Sequence, residues 1–133
     1  MERFLKYDRY QHKYQSFAHA EQISFIMRLI AKYNFSNGKR IENVLDIGMD
    51  NGVTTLFMLK EGFKNAENFQ LYSIEKATED FFGEDVLKES TPEELKHYHL
   101  NRGCTAFDIE KVLKPYTKLD LVFIDGEHIS PIL

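Results

Sequence analysis

Apolar residues recur along the chain with two different periods, and the changes between them divide it into alternating helices and strands. Over Ala18 to Tyr33, the residues Ile23, Ile26, Met27 and Ile30 fall at the i, i+3, i+4, i+7 spacing of one helical face. Asn37-Gly38 is a natural stop for that helix. A short apolar run follows, Asn43-Val44-Leu45-Asp46-Ile47, closed by Gly48 and suited to a strand buried on both faces. Gly52 to Lys60 reads as a helix in spite of Thr54 and Thr55. After a loop of glycine, asparagine and lysine comes a second strand, Phe69 to Ile74, ended by Glu75. The order strand, helix, strand predicts a parallel, right-handed crossover and an α/β fold.

The stretch from Lys76 to Lys96 is acidic and helical in composition, with Phe81, Phe82, Val86 and Leu87 as its apolar side. A new helix start lies inside it. Thr91-Pro92-Glu93-Glu94 has a capping threonine, a proline at the first helical position and a glutamate able to reach back, which predicts a short helix from Pro92 to about His97. His97-Tyr98-His99-Leu100, leading to Asn101-Arg102-Gly103, is weakly strand-like, and Ala106 to Lys114 reads as a helix before Pro115. Leu119-Asp120-Leu121-Val122-Phe123-Ile124 is a buried strand that ends in Asp125-Gly126-Glu127-His128.

At 133 residues the chain fits one domain. Apolar residues at 43% and charged residues at 29% are the balance of a globular protein with a packed core. No stretch approaches the roughly 18 apolar residues of a membrane span, and the N-terminus lacks the apolar run of a signal peptide, which predicts a cytoplasmic location. The single cysteine, Cys104, excludes an internal disulfide and a multi-cysteine zinc site. The net charge of −4 conceals an asymmetry: residues 1–40 carry eight Lys/Arg against three Asp/Glu, whereas 41–133 carry nine against eighteen. The basic segment suits an anionic partner such as a phosphorylated substrate or nucleic acid. Docking on the acidic remainder of the same chain is the simpler explanation, with Phe4, Tyr7, Tyr10, Tyr14 and Phe17 supplying contact. The expected organisation is therefore a basic helical segment, 1–40, packed on a core of 41–133.

Three strand ends carry small or acidic residues: Asp46-Ile47-Gly48, Ser73-Ile74-Glu75 and Ile124-Asp125-Gly126. In an open parallel sheet ligands bind outside the carboxyl ends of the strands, so these residues should converge there. Gly48 and Gly52 free the first turn for close approach to a ligand, and the following helix offers its N-terminus. Glu75, 27 residues after Gly48, is placed to accept from both hydroxyls of a ribose, which suits any nucleoside cofactor. The dinucleotide fingerprint, however, wants glycine where this chain has Asp50. An aspartate beside a pyrophosphate in a partly desolvated turn costs on the order of a kcal/mol or more, which argues against NAD. S-adenosylmethionine, with a ribose, a sulfonium and an ammonium group but no phosphate, fits Asp46, Asp50 and Asp125.

The stretch Val44-Leu45-Asp46-Ile47-Gly48-Met49-Asp50-Asn51-Gly52-Val53-Thr54-Thr55 resembles the first motif of class I S-adenosylmethionine-dependent methyltransferases. Leu71 to Glu75 resembles the second, and Leu119 to His128 is similar to the strand-four motif of a bacterial branch that includes small-molecule and sugar O-methyltransferases. The resemblance covers about residues 40 to 128. It implies a Rossmann-like parallel sheet of about four strands in the order 3-2-1-4, flanked by helices and preceded by a helical segment. It also implies that Asp46, Gly48 and Gly52 surround the methionine part of the cofactor, that Glu75 holds the ribose, and that Cys104 and Thr105, after Gly103, lie near the adenine. Asp125 would face the cofactor, and His128 and Asp125 would stand near the reacting group. A histidine just after a strand end is also a common solvated loop residue. Asp125 and His128 alone are too few ligands for a closed metal site, so no metal is expected. His97, His99 and Cys104 read as packing or surface residues.

A complete fold of this class has seven strands, whereas the sequence ends at Leu133, soon after the fourth. The fourth strand is thus expected to be an apolar edge relieved only by Asp120, and to self-associate. Two functional readings follow from the resemblance: methyl transfer to a small molecule or sugar, or a shortened, non-catalytic domain that binds cofactor or protein partners. Neither nucleic acid nor membrane is an expected partner.

Overall fold

The computed structural model describes residues 20–33, 36, 38–49, 52–76, 87–114 and 117–124. The expected helical stretch through Phe81, Phe82 and Val86 and the aromatic N-terminal segment lie outside them.

The first helix, α1, is Ala20–Lys32. Ile26, Met27 and Ile30 form its buried side, as their spacing requires, while Phe25 is exposed. The Tyr33 amide closes the last turn on the Leu29 carbonyl at 3.0 Å, and the Arg40 guanidinium donates to the Ala31 carbonyl at 2.8 Å. The last carbonyls of a helix lack intrahelical donors, so a basic side chain returning from the next segment satisfies that of Ala31.

Strand β1, Asn43–Ile47, pairs in parallel with β2, Gln70–Glu75, on one side and with β4, Leu121–Ile124, on the other. Strand β3, Tyr98–Arg102, pairs in parallel with β2, so the sheet order is β3-β2-β1-β4. The weakly strand-like segment is thus a full strand. Side chains alternate across a strand, so the register puts Val44, Asp46, Leu71, Ser73, Tyr98, Leu121 and Phe123 on one face. Val44 and Leu71 pack there in a core with Ile26, Ile30, Ile41, Met58, Leu59 and Phe69.

Helix α2 is Val53–Asn65, five residues longer than the expected end at Lys60. Gly62 lies inside it rather than in a loop: the ring of buried Phe69 sits where a Cβ on residue 62 would project. Glycine here is a packing requirement, not a helix stop. The short helix α3, Pro92–Leu95, has the expected capping box, with Thr91 Oγ1 accepting from the Glu94 amide at 3.1 Å and Glu94 Oε1 accepting from the Thr91 amide at 2.8 Å. Lys60 on α2 reaches the same carboxylate at 3.0 Å and ties α3 to α2.

The helix expected over 106–114 is instead a 3-10 turn, Ala106–Asp108, followed by one helical turn, α4, Ile109–Val112. A second capping box, Thr105 with Asp108, starts it. Asp120 has a more specific task than relieving an apolar edge. Its Oδ2 accepts from the amides of Glu42 and Asn43, both at 2.9 Å, and its own amide donates to the Asn43 carbonyl at 2.8 Å, so it joins the start of β4 to the start of β1. No helix among the described residues is long and apolar enough to cross a membrane.

Candidate functional site at the strand ends

The first turn after β1 is built around two left-handed residues. Gly48 has φ 85° and Gly52 φ 83°, a region that costs other L-residues about 1–2 kcal/mol. The Gly48 amide donates to the Ile74 carbonyl at 2.9 Å, continuing the ladder between β1 and β2 by one bond. The Gly52 amide donates to the Met49 carbonyl at 2.8 Å and closes the turn. Gly52 is the N-cap of α2, whose first helical hydrogen bond runs from Leu56 to the Gly52 carbonyl. The positive end of the α2 dipole therefore begins at the crevice.

Glu75 stands on the opposite lip. Its carboxylate accepts from the Met49 amide at 3.4 Å, and its carbonyl accepts from the Cys104 amide at 3.2 Å. One residue thus joins the turn after β1, the end of β2 and the loop after β3. That loop turns at Gly103, with φ 65°. Cys104 Sγ donates to the Arg102 carbonyl at 3.4 Å, and the Thr105 hydroxyl accepts from the Phe107 amide at 3.3 Å, which leaves Phe107 exposed beside it. Backbone donation from Thr105 holds the Asp108 carboxyl below its ordinary pKa; burial opposes the shift and Lys111 adds to it.

Asp46 lies beneath the crevice rather than on its surface. Its residue exposure is 1%, and its Oδ2 accepts from Thr55 Oγ1 at 2.6 Å and from Ser73 Oγ at 2.9 Å. A buried carboxylate needs such charge-assisted bonds to offset its lost hydration. Because Thr55 belongs to the first turn of α2 and Ser73 to β2, the aspartate ties helix, first strand and second strand into one floor. Ser73 is legible in the sequence as a converging strand-end residue and Thr55 as part of the first motif, but their donation to Asp46 is not. An aspartate in the middle of a buried apolar strand was itself the signal, since it requires donors close by.

Tyr98 was also missed. From β3 its hydroxyl donates to Met49 Sδ at 3.2 Å, next to the Ser73 hydroxyl. Burial pushes the phenol well above its ordinary pKa, the Asp46 charge adds to the rise, Ser73 opposes it, and Glu75 adds a smaller increment. The group is therefore a neutral donor throughout the working range of pH.

Gly48, Gly52, Glu75, Cys104 and, below them, Asp46 are brought to one end of the sheet. Thr105 borders them, its side chain engaged in its own turn. Asp50, Asp125 and His128 lie outside the described residues. Neither histidine of the β3 segment is drawn into the crevice. His97 Nδ1 lies 2.9 Å from the Phe69 carbonyl and its ring meets Phe63 edge-on, while His99 stacks on Tyr72 at 4.7 Å and approaches Gln70 Oε1 at 2.6 Å. Among the described residues no group of three or more His, Cys, Asp and Glu could hold a metal ion.

No protein-family model matches the chain, and no curated protein matches it by sequence. Solved structures do. The chain is similar to the O-methyltransferase TomG of Streptomyces achromogenes, involved in tomaymycin synthesis and solved in complex with SAM. The TM-score is 0.63 and the identity 17%, covering 95% of this chain and 54% of that one. Cofactor-bound Rv0187 from MTB gives a TM-score of 0.61 at 20% identity, covering 82% of this chain and 44% of that one. A protein of Corynebacterium glutamicum gives 0.61 at 17%, covering 91% and 53%. The fold is therefore the Rossmann-like methyltransferase fold, with its sheet order 3-2-1-4 as the motifs implied. The chain spans about half the length of these structures.

Proposed function

We propose that the crevice between Gly48, Gly52 and Glu75 binds S-adenosylmethionine, and that the chain is the cofactor-binding part of an O-methyltransferase acting on a small molecule. The observation that carries this reading is the placement of Glu75: a carboxylate at the end of the strand next to the glycine turn, joined to that turn through the Met49 amide. A carboxylate offers about four acceptor sites, a number that suits the two hydroxyls of a ribose. Positions 48 and 52 carry no side chain where the methionine part would lie, and the N-terminus of α2 suits its carboxylate group. Asp46 contributes from beneath by holding α2 and β2 to β1. Cys104 and Thr105 border the adenine side. TomG, of the same fold, is an O-methyltransferase solved with SAM.

The bound cofactor supplies a methyl group on a sulfonium, open to in-line attack by a substrate oxygen. The protein's part is to orient the two reactants, exclude water and accept the proton that the oxygen loses. Asp125 and His128 are our candidates for the residues nearest that oxygen, with His128 as the base and Asp125 also facing the cofactor.

Calorimetric titration tests the reading. S-adenosylmethionine should bind and NAD should not, and Glu75→Ala should weaken S-adenosylmethionine binding about tenfold to a hundredfold, the loss expected for hydrogen bonds to a charged acceptor. Absence of binding by the unaltered chain would remove the proposal. Binding without methyl transfer to any offered acceptor would favour a non-catalytic cofactor-binding module.

A further inference from the structure

Tyr98 has a hydroxyl that packing alone does not need. Its ring lies against the core formed by Val44, Leu71 and their neighbours, and phenylalanine would fill the same space. Burying a hydroxyl is unfavourable unless it finds partners, and thioether sulfur is a weak one. The acceptor that Tyr98 does find is Met49 Sδ at 3.2 Å, because the neighbouring Ser73 hydroxyl gives its own proton to Asp46. Met49 directly follows Gly48, and its own amide is the one that donates to Glu75. Both ends of Met49 are thus tied, the backbone to β2 and the side chain to β3.

We propose that Tyr98 is a positioning residue: by holding the sulfur of Met49 it keeps the Gly48–Gly52 turn in the shape that meets Glu75 and admits a ligand. Two left-handed glycines make this turn easy to form and equally easy to deform, because glycine has more alternative conformations than any other residue. Methionine, with three rotatable side-chain bonds, gives no stiffness of its own. The third strand supplies it. The phenol remains protonated at neutral and mildly alkaline pH, so the hold does not switch with pH.

The effect on ligand affinity rests on the cofactor-site reading above, whereas the effect on the turn does not, and the experiment separates them. Tyr98→Phe in the full chain should speed hydrogen exchange of the Met49 and Gly52 amides about fivefold, the loss of one modest hydrogen bond, with Leu45 and Leu71 unchanged. The Met49 methyl resonance should move toward its rotationally averaged position, and S-adenosylmethionine should bind about three- to tenfold more weakly, by the same ratio at pH 6 and pH 9. Met49→Leu, which keeps the volume and removes the acceptor, should reproduce the exchange pattern. The double variant should then add nothing further. Unchanged exchange at Met49 overturns the proposal whether or not the cofactor binds. Exchange that rises equally at Leu45 and Leu71 also overturns it, since Tyr98 would then be a core residue only. If the unaltered chain binds no S-adenosylmethionine, the cofactor reading fails and the exchange pattern alone decides the role of Tyr98.

Discussion

Asp46 and Glu94 are both carboxylates buried in the fold, and each is kept there by donors, from two other elements for Asp46 and from its own helix cap and α2 for Glu94. Around Asp46 the donors are the hydroxyls of Thr55 and Ser73; around Glu94 they are the Thr91 amide and the Lys60 ammonium. For Glu94 the balance has a measurable sign. Burial raises its pKa, but the bonds from Thr91 and Lys60 outweigh it, so the folded value lies below the ordinary 4.5. The folded state therefore binds this proton less readily than the unfolded chain. The contribution is complete above pH 4.5 and is lost as pH falls through the lower, folded value. Glu94→Gln should cost about 1.5–3 kcal/mol at pH 7, the range for hydrogen bonds to a charged group. The difference from wild type should narrow below pH 4.5 in urea unfolding curves; a gap that stays constant down to pH 3 would contradict this account.

At the scale of elements, helix α2 shows how a residue can favour one local structure and serve another. Gly62 and the residues after it resemble a loop by composition, yet α2 runs through them to Asn65, and position 62 has no Cβ because the ring of Phe69, just before β2, lies against it. Gly62→Ala should destabilise the protein by about 1–3 kcal/mol through overpacking, more than the gain of up to about 1 kcal/mol from better helix propensity. Chemical denaturation gives the sign directly, and a more stable variant would mean that the Phe69 ring moves aside freely. Asp120 makes the same point for strands. In the sequence it is a lone charge in an apolar run; in the fold it caps two amides at the entry to β1.

For the whole molecule, the consequence of the strand order is the position of β4. Among the described residues it pairs only with β1, and Val122 and Ile124 are 45% and 57% exposed. Apolar side chains on an outer strand are a ready surface for pairing. We expect the 133-residue chain to self-associate through β4 and Ile124→Lys to weaken that association. Light scattering at micromolar concentration measures it, and a monomeric mass for the unaltered chain would sink the expectation. The charge division between residues 1–40 and 41–133 belongs to the same scale, and the matched solved structures, about twice as long, set its frame.

The alternation of strands and helices, the capping box at Thr91, the glycine turn and the carboxylate of Glu75 were readable along the chain, because each is expressed in neighbouring residues: a period, a cap, a turn, a strand end. The order of the sheet was legible too, once three motifs stood in sequence. The roles of Asp46, Gly62, Tyr98 and Asp120 came from the folded arrangement instead. Their partners lie 9 residues away for Thr55, 27 for Ser73, 49 for Met49 and 77 for Asn43, and for Gly62 the partner is the ring of Phe69. A buried charge, a missing Cβ and a buried hydroxyl each announce that a partner must exist. Which partner answers is settled by the packing of elements distant along the chain.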